Sequence, residues 1–167
     1  ASGVLSKKID FDNLNISRPA GSLTVLNNKL YGATDLGGPE SKGGIFEYNP
    51  ATNQAVVKRF FTGTDATLDI HFTVYNNKLY SSSSYGGANN KGAIFSYDPS
   101  LDLYQPYLSF SSTSGSEGTG YLSLYNNMFY GLTTDGGTFE YGSLFSFDPA
   151  ANQFQALVYF GDTQLRT

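Results

Sequence analysis

The chain has 167 residues, enough for one domain with its own core, and its 14% charged content beside 40% hydrophobic residues excludes a disordered or highly charged chain. Thirteen Tyr, thirteen Phe and nineteen Gly against one Met and no Trp point to strands and tight turns rather than helices. A net charge of −4 with no basic cluster argues against a nucleic-acid partner, and no run approaches the roughly 20 apolar residues of a membrane span. The absence of Cys removes disulfides, thiol catalysis and Cys-based zinc sites.

In chain order, the first expected element is a strand over Val4–Phe11, read as the fourth strand of a unit whose first three are missing, because Phe11 lies 50 residues before Phe61. Leu23–Leu26 is a short strand. Asn27-Asn28 follows, the residue type best suited after Gly to the positive φ angles of a two-residue hairpin turn. Leu30–Thr34 is the partner strand, and a loop opening on Gly37-Gly38 leads to Gly44–Tyr48, which alternates with the period of a sheet. Asn49-Pro50 makes a turn, since Pro presets φ and keeps the preceding residue extended. Gln54–Phe60 closes the unit.

Each marker then returns 49 and again 50 residues later. Asn27-Asn28-Lys29-Leu30-Tyr31 recurs as Asn76-Asn77-Lys78-Leu79-Tyr80 and Asn126-Asn127-Met128-Phe129-Tyr130. Gly37-Gly38 recurs as Gly86-Gly87 and Gly136-Gly137, and Phe61 as Phe110 and Phe160. Ile45-Phe46-Glu47-Tyr48-Asn49-Pro50 recurs as Ile94-Phe95-Ser96-Tyr97-Asp98-Pro99 and Leu144-Phe145-Ser146-Phe147-Asp148-Pro149. Four antiparallel strands per repeat is the arithmetic of β-propeller blades. The expected architecture is therefore all-β: an orphan outer strand within 1–12 and blades at 20–61, 69–110 and 119–160 of a single repeat domain. Three blades fall short of the about four to eight of a closed ring. The expected partners are copies of the chain, two giving six blades or three giving nine, or neighbouring repeats of a longer chain. A start at Ala1 without Met is read as a processed chain or a fragment.

Leu30-Tyr31-Gly32-Ala33-Thr34 with Gly37-Gly38 and Gly44-Ile45-Phe46-Glu47-Tyr48-Asn49-Pro50 resembles the GloVer tandem repeat of secreted or surface-anchored bacterial proteins. Phe129-Tyr130-Gly131-Leu132-Thr133-Thr134-Asp135-Gly136-Gly137 matches it best, while the second copy has Ser81 in place of Gly. The resemblance covers nearly the whole chain. It implies a propeller-like module at the cell surface or outside the cell, with no catalytic residues to carry over. Kelch repeats also place Gly-Gly after a strand, but their downstream Trp is absent.

Chemistry-bearing patterns are sparse. His71 is the sole histidine and aligns with Ser22 and Tyr121, so it reads as a structural or surface residue. Paired acids could hydrolyse a glycoside, with Asp35, Asp65, Asp69, Glu117, Asp135 and Glu140 as candidates, and this stands as the enzymatic alternative. Asp98 and Asp148 precede Pro, as Asn49 does, and read as turn caps rather than calcium ligands; no metal, cofactor or catalytic residue is assigned. The Gly-rich loops lack the Lys-Ser/Thr and helix start of a phosphate cradle. Phe46, Phe95 and Phe145 are expected between blades, as are Tyr31, Tyr80 and Tyr130. Tyr85 and Tyr141 are expected to be exposed platforms for a sugar ring. The candidate ligand-binding set is Asp35, Tyr85, Gly86, Gly87, Asp135, Gly136, Gly137 and Tyr141, with carbohydrate as the ligand. The expected role is non-enzymatic: self-assembly or protein interaction, with glycan binding as the alternative.

Overall fold

A computed structural model of the chain describes residues 3 and 5–161. Among them are twelve strands in three sheets, each a four-stranded antiparallel meander in sequence order. Blade 1 holds β1 (Ile16–Leu26), β2 (Lys29–Gly37), β3 (Gly44–Asn49) and β4 (Gln54–Phe60). Blade 2 holds β5 (Thr73–Tyr75), β6 (Lys78–Ser82), β7 (Ala93–Asp98) and β8 (Leu103–Ser109), and blade 3 holds β9 (Ser116–Tyr125), β10 (Met128–Asp135), β11 (Ser143–Asp148) and β12 (Gln153–Tyr159).

The turns follow from local chemistry. Leu26 pairs with Lys29, Tyr75 with Lys78 and Tyr125 with Met128, so each Asn-Asn is a two-residue hairpin turn. All six asparagines have positive φ, between 48° and 63°, as such a turn demands. At the next turn the side chain before Pro caps the loop: Asn49 Oδ1 accepts from the Ala51 amide (3.0 Å), Asp98 Oδ1 from Ser100 (2.9 Å) and Asp148 Oδ1 from Ala150 (2.8 Å). A β-bulge recurs between the third and fourth strands of every blade, after Ile45, Ile94 and Leu144.

The Gly-rich loop depends on a second glycine position that the Gly-Gly pattern does not reveal. Gly43, Gly92 and Gly142 have φ of +75°, +85° and +83°, and a Cβ there would overlap the carbonyl oxygen of Thr34, Ser83 or Thr133. Only Gly lets the returning chain lie that close.

The core lies between the sheets, not within them. Tyr31, Ala33, Ile45 and Phe61 of blade 1 pack with Phe72, Leu79, Phe95 and Tyr97 of blade 2, all buried. Tyr80, Ile94 and Phe110 of blade 2 pack with Leu122, Phe129, Phe145 and Phe147 of blade 3. Phe61 and Phe110, which follow the fourth strands of blades 1 and 2, thus enter the next blade.

Two features differ from the sequence reading. The strand expected over Val4–Phe11 does not form: residues 5–10 carry no strand, Phe11–Leu14 is a 3-10 turn, and Val4 lies outside the described residues. A fourth strand with no third strand beside it has no backbone partner. The first strands of blades 1 and 3 run back to Ile16 and Ser116, far beyond the four-residue strands expected. Ser81, which replaces the Gly of the other two copies, lies in β6, and its buried Oγ accepts from the His71 amide (3.2 Å) and contacts the Gly120 carbonyl (3.1 Å).

Candidate functional site

Two regions carry side chains not used up by the fold. The first lies where the leading strands of the three blades adjoin. Ser22, His71 and Tyr121, one repeat position in three blades, stand side by side. His71 Nδ1 is 3.5 Å from Ser22 Oγ, and its ring stacks on Tyr121 at 3.7 Å. The imidazole is half-buried, which holds its pKa below the usual histidine range against the pull of Asp69. Asp69 accepts from Ser84 Oγ (2.7 Å), and Asp35 faces Arg18 at 3.5 Å. Burial raises the Asp35 pKa, with Arg18 opposing and the charge of Asp69 adding. A Ser, a His and an Asp are near one another, yet the Asp69 carboxylate is bonded to Ser84, and no hydrogen bond orients His71 through it. The base–orienter contact of a hydrolytic triad is missing.

The other acids are placed as follows. Asp65 holds the linker between blades 1 and 2, accepting from Arg59 Nη2 (2.8 Å) and the Thr62 amide (3.0 Å). Glu117 and Glu140 take positive φ angles of 58° and 62°. Asp35 lies inside β2 and Asp135 ends β10, so both are strand residues rather than loop residues. Asp35 and Asp135 sit on the first and third blades, one place apart in the repeat, while the charge that Asp35 feels is that of Asp69.

Of the expected ligand-binding set, the glycines face inward. Gly87, Gly136 and Gly137 are buried and Gly86 half-buried. The Gly87 amide donates to Thr64 O (2.9 Å) and that of Gly137 to Ser112 O (2.7 Å), while the Gly86 and Gly136 carbonyls accept from Gly92 and Gly142 (both 3.0 Å). Tyr85, Asp135 and Tyr141 are exposed, Tyr141 most of all at 70%. Among the described residues no hydrogen bond, ion pair or ring contact joins Asp35, Tyr85, Asp135 and Tyr141 to one another.

The second region is the pair of outer blade faces, against which no further blade lies among the described residues. Leu23, Leu30, Phe46 and Tyr48 of blade 1 occupy the repeat positions of Phe72, Leu79, Phe95 and Tyr97, which are buried against the preceding blade. Here they border a cavity of about 480 Å³, and Leu23 is 55% exposed. At the far end Tyr130, Leu132 and Leu144 occupy the positions of Tyr31, Ala33 and Ile45, and line a second hollow of about 240 Å³. A cross-blade hydrogen bond marks both internal junctions: Thr24 Oγ1 donates to Phe72 O (2.8 Å) and Thr73 Oγ1 to Leu122 O (2.6 Å). Ser123 stands third in this series, exposed. The recurrence of Thr at 24 and 73 is the sequence signal for this contact.

Three four-stranded meanders stacked face to face, with the core between them, define a β-propeller repeat protein. The chain belongs to the Gloeobacter/Verrucomicrobia repeat family, whose model matches residues 1–167. Among solved structures it is similar to TolB from Acinetobacter baumannii (TM-score 0.54, 16% identity), covering 87% of this chain and 33% of that one. A puromycin hydrolase (TM-score 0.57, 14% identity) is matched over 83% of this chain and 20% of its own, and YjhT (TM-score 0.54, 14% identity) over 88% and 53%. The chain thus spans between a fifth and about half of the length of these structures. No curated protein matches the sequence.

Proposed function

We propose that the chain is a non-enzymatic β-propeller module of proteins at the cell surface or outside the cell, working by docking its two open blade faces against further blades. The observation that carries this reading is the repeat equivalence of those faces to the two junctions buried inside the chain. One face has the receiving residues Leu23, Leu30, Phe46 and Tyr48, and the other the inserting residues Tyr130, Leu132 and Leu144. A head-to-tail contact of this kind makes rings when the rotation closes and filaments when it does not. Two chains supply six blades, within the usual range of about four to eight. The surface location rests on the resemblance to repeats of secreted and surface-anchored proteins.

Light scattering on a size-exclusion column tests it. The expected result is a mass of two or more chains that falls to one chain in Leu132→Asp and in Leu23→Asp. A single-chain mass at every concentration, or an assembly indifferent to both substitutions, overturns the reading.

A second reading, glycan binding, is favoured by the exposure of Tyr85 (45%) and Tyr141 (70%) beside loops of fixed spacing. Binding on a glycan array that is lost in Tyr141→Ala supports it, and an array without signal removes it.

A further inference from the structure

Each blade ends on an outer strand that pairs on one side only: β4 with β3, β8 with β7 and β12 with β11. The far side of such a strand offers unpaired amides and carbonyls to any other extended chain. A following blade does not cover that side, because blades pack face to face while the edge lies in the plane of the sheet. β4 and β8 are each followed by another blade, yet Gln54, Val56, Leu103 and Gln105 are exposed, just as Gln153 and Gln155 are at the same repeat positions of β12. The three edges differ in what guards them. In β4 the bulge residue is Lys58, with Arg59 beside it, and in β8 Pro106 stands just before the bulge. Lys keeps an edge from pairing by its charge, and Pro by its missing N–H and its ring. β12 has Ala156 where β8 has Pro106, and Leu157 where β4 has Lys58. No residue between Asp148 and Asp162 is charged. Gln153-Phe154-Gln155-Ala156-Leu157-Val158-Tyr159-Phe160 is neutral, free of Pro and Gly and rich in strand formers, the composition of a segment that pairs with itself.

We propose that the outer edge of β12 is an interaction surface for a second copy of this chain, the two β12 strands pairing antiparallel about a two-fold axis so that two blades join into one continuous sheet. The occupant is a second copy because the axis sets this neutral strand against itself with no like charges opposed. Neither guarded edge allows that: β4 would bring Lys58 and Arg59 against their own copies, and β8 would put Pro106 into the ladder. The stretch before the bulge, Gln153–Ala156, carries the pairing. Gln153 and Gln155 are exposed along it, each with an amide donor and acceptor for a glutamine across the axis. Such a contact is isologous and closes at two copies. It is edge to edge, and so independent of the face-to-face docking above. So short a ladder falls below the roughly 1,200 Å² of a standing interface, which makes the pair transient. Chemical capture reads it where light scattering on a column still follows docking alone.

The chain contains no Cys, so single cysteines report the contact without other thiols. Gln153→Cys and Gln155→Cys of the full chain are treated with a short bismaleimide beside their exposed repeat equivalents, Leu103→Cys, Gln105→Cys, Gln54→Cys and Val56→Cys. The expected result is a covalent dimer from at least one of the two β12 variants and from none of the other four. Equal capture on all three edges is collision alone and overturns the proposal, as does no capture on β12. Two further substitutions install guards with which the other blades already fold: Ala156→Pro copies Pro106, and Leu157→Lys copies Lys58. Each, added to the captured variant, should abolish the dimer, and capture that survives both overturns the proposal. Should Ala156→Pro lose its β-sheet circular dichroism, Leu157→Lys decides alone. Leu23→Asp and Leu132→Asp separate this contact from docking. A β12 dimer that forms in both supports the edge whatever becomes of the docking reading, and one lost in either belongs to the docked faces and overturns the edge.

Discussion

At the scale of single residues, what governs this protein is how closely the backbone approaches itself and how few polar side chains remain unengaged. Gly142 and Gly63 separate two costs of losing a glycine. Gly63 has φ +56° with open space around it, whereas at Gly142 (φ +83°) a Cβ would overlap Thr133 O. Gly63→Ala should cost about 1–2 kcal/mol for the left-handed backbone alone. Gly142→Ala should cost about 4 kcal/mol, at the upper end for single substitutions; denaturant titration of both variants compares them. His71 supplies a pH signature. Its folded pKa is held below the usual 6.5 by burial, so as pH falls through about 6.5 the unfolded chain takes up a proton that the folded one resists. Its contribution to stability is present above that pH and lost below it. The melting temperature of His71→Asn should therefore fall less than that of the native chain between pH 7.5 and 5.5, about one unit either side of the unperturbed value.

At the scale of elements, the blades are joined through buried rings and one repeated hydrogen bond. Thr73→Val keeps the shape at the junction of blades 2 and 3 but leaves Leu122 O without its donor. Thermal or urea unfolding should show a loss of about 1–3 kcal/mol, the usual penalty for a buried polar group left unpaired. A change within about 0.3 kcal/mol would show that water replaces the hydroxyl. The hairpins were readable from the chain because Asn-Asn turns are local: the residues that must take positive φ are the ones named by the pattern. The long first strands were not. Ile16–Leu26 alternates poorly, with Ser17, Arg18, Pro19, Gly21 and Ser22 all exposed, because the strand edges the sheet and has little apolar surface to cover. Its polar, Pro-containing start carries the composition of a loop.

At the scale of the whole molecule, three blades leave two sheet faces that matching blades would cover. Anything that binds the folded state stabilises it by mass action. If the open faces dock on a second copy, the melting temperature should rise with protein concentration, and Leu132→Asp should abolish that rise without changing the value at high dilution; differential scanning fluorimetry over a dilution series reads both. A melting temperature independent of concentration would count against docking. Glu47 adds an acid limit on the folded state. Burial would raise its pKa, but hydrogen bonds from Lys29 (2.6 Å) and Tyr31 (2.7 Å) outweigh that and hold it below the usual carboxylate range. Stability from this group is present above about pH 4.3, the unfolded carboxyl value, and lost as pH falls through its lower folded value.

The sequence by itself determined the repeat, its period, the strand and turn order of each unit and the aromatic rings at the two internal junctions, while Phe46 and Tyr130, expected between blades, lie on the outer faces. All of these are set by short-range backbone preference and by the alternation that burying one face of a strand imposes. The tertiary structure alone decided which residues meet across blades. Thr24 finds Phe72 O, His71 stacks on Tyr121 and Phe11 stands edge-on to Phe46 through contacts 35 to 50 residues apart along the chain. It also decided that residues 5–10 form no strand, since a strand exists only where another strand offers hydrogen bonds, and that partner is not visible in the residues of the segment itself.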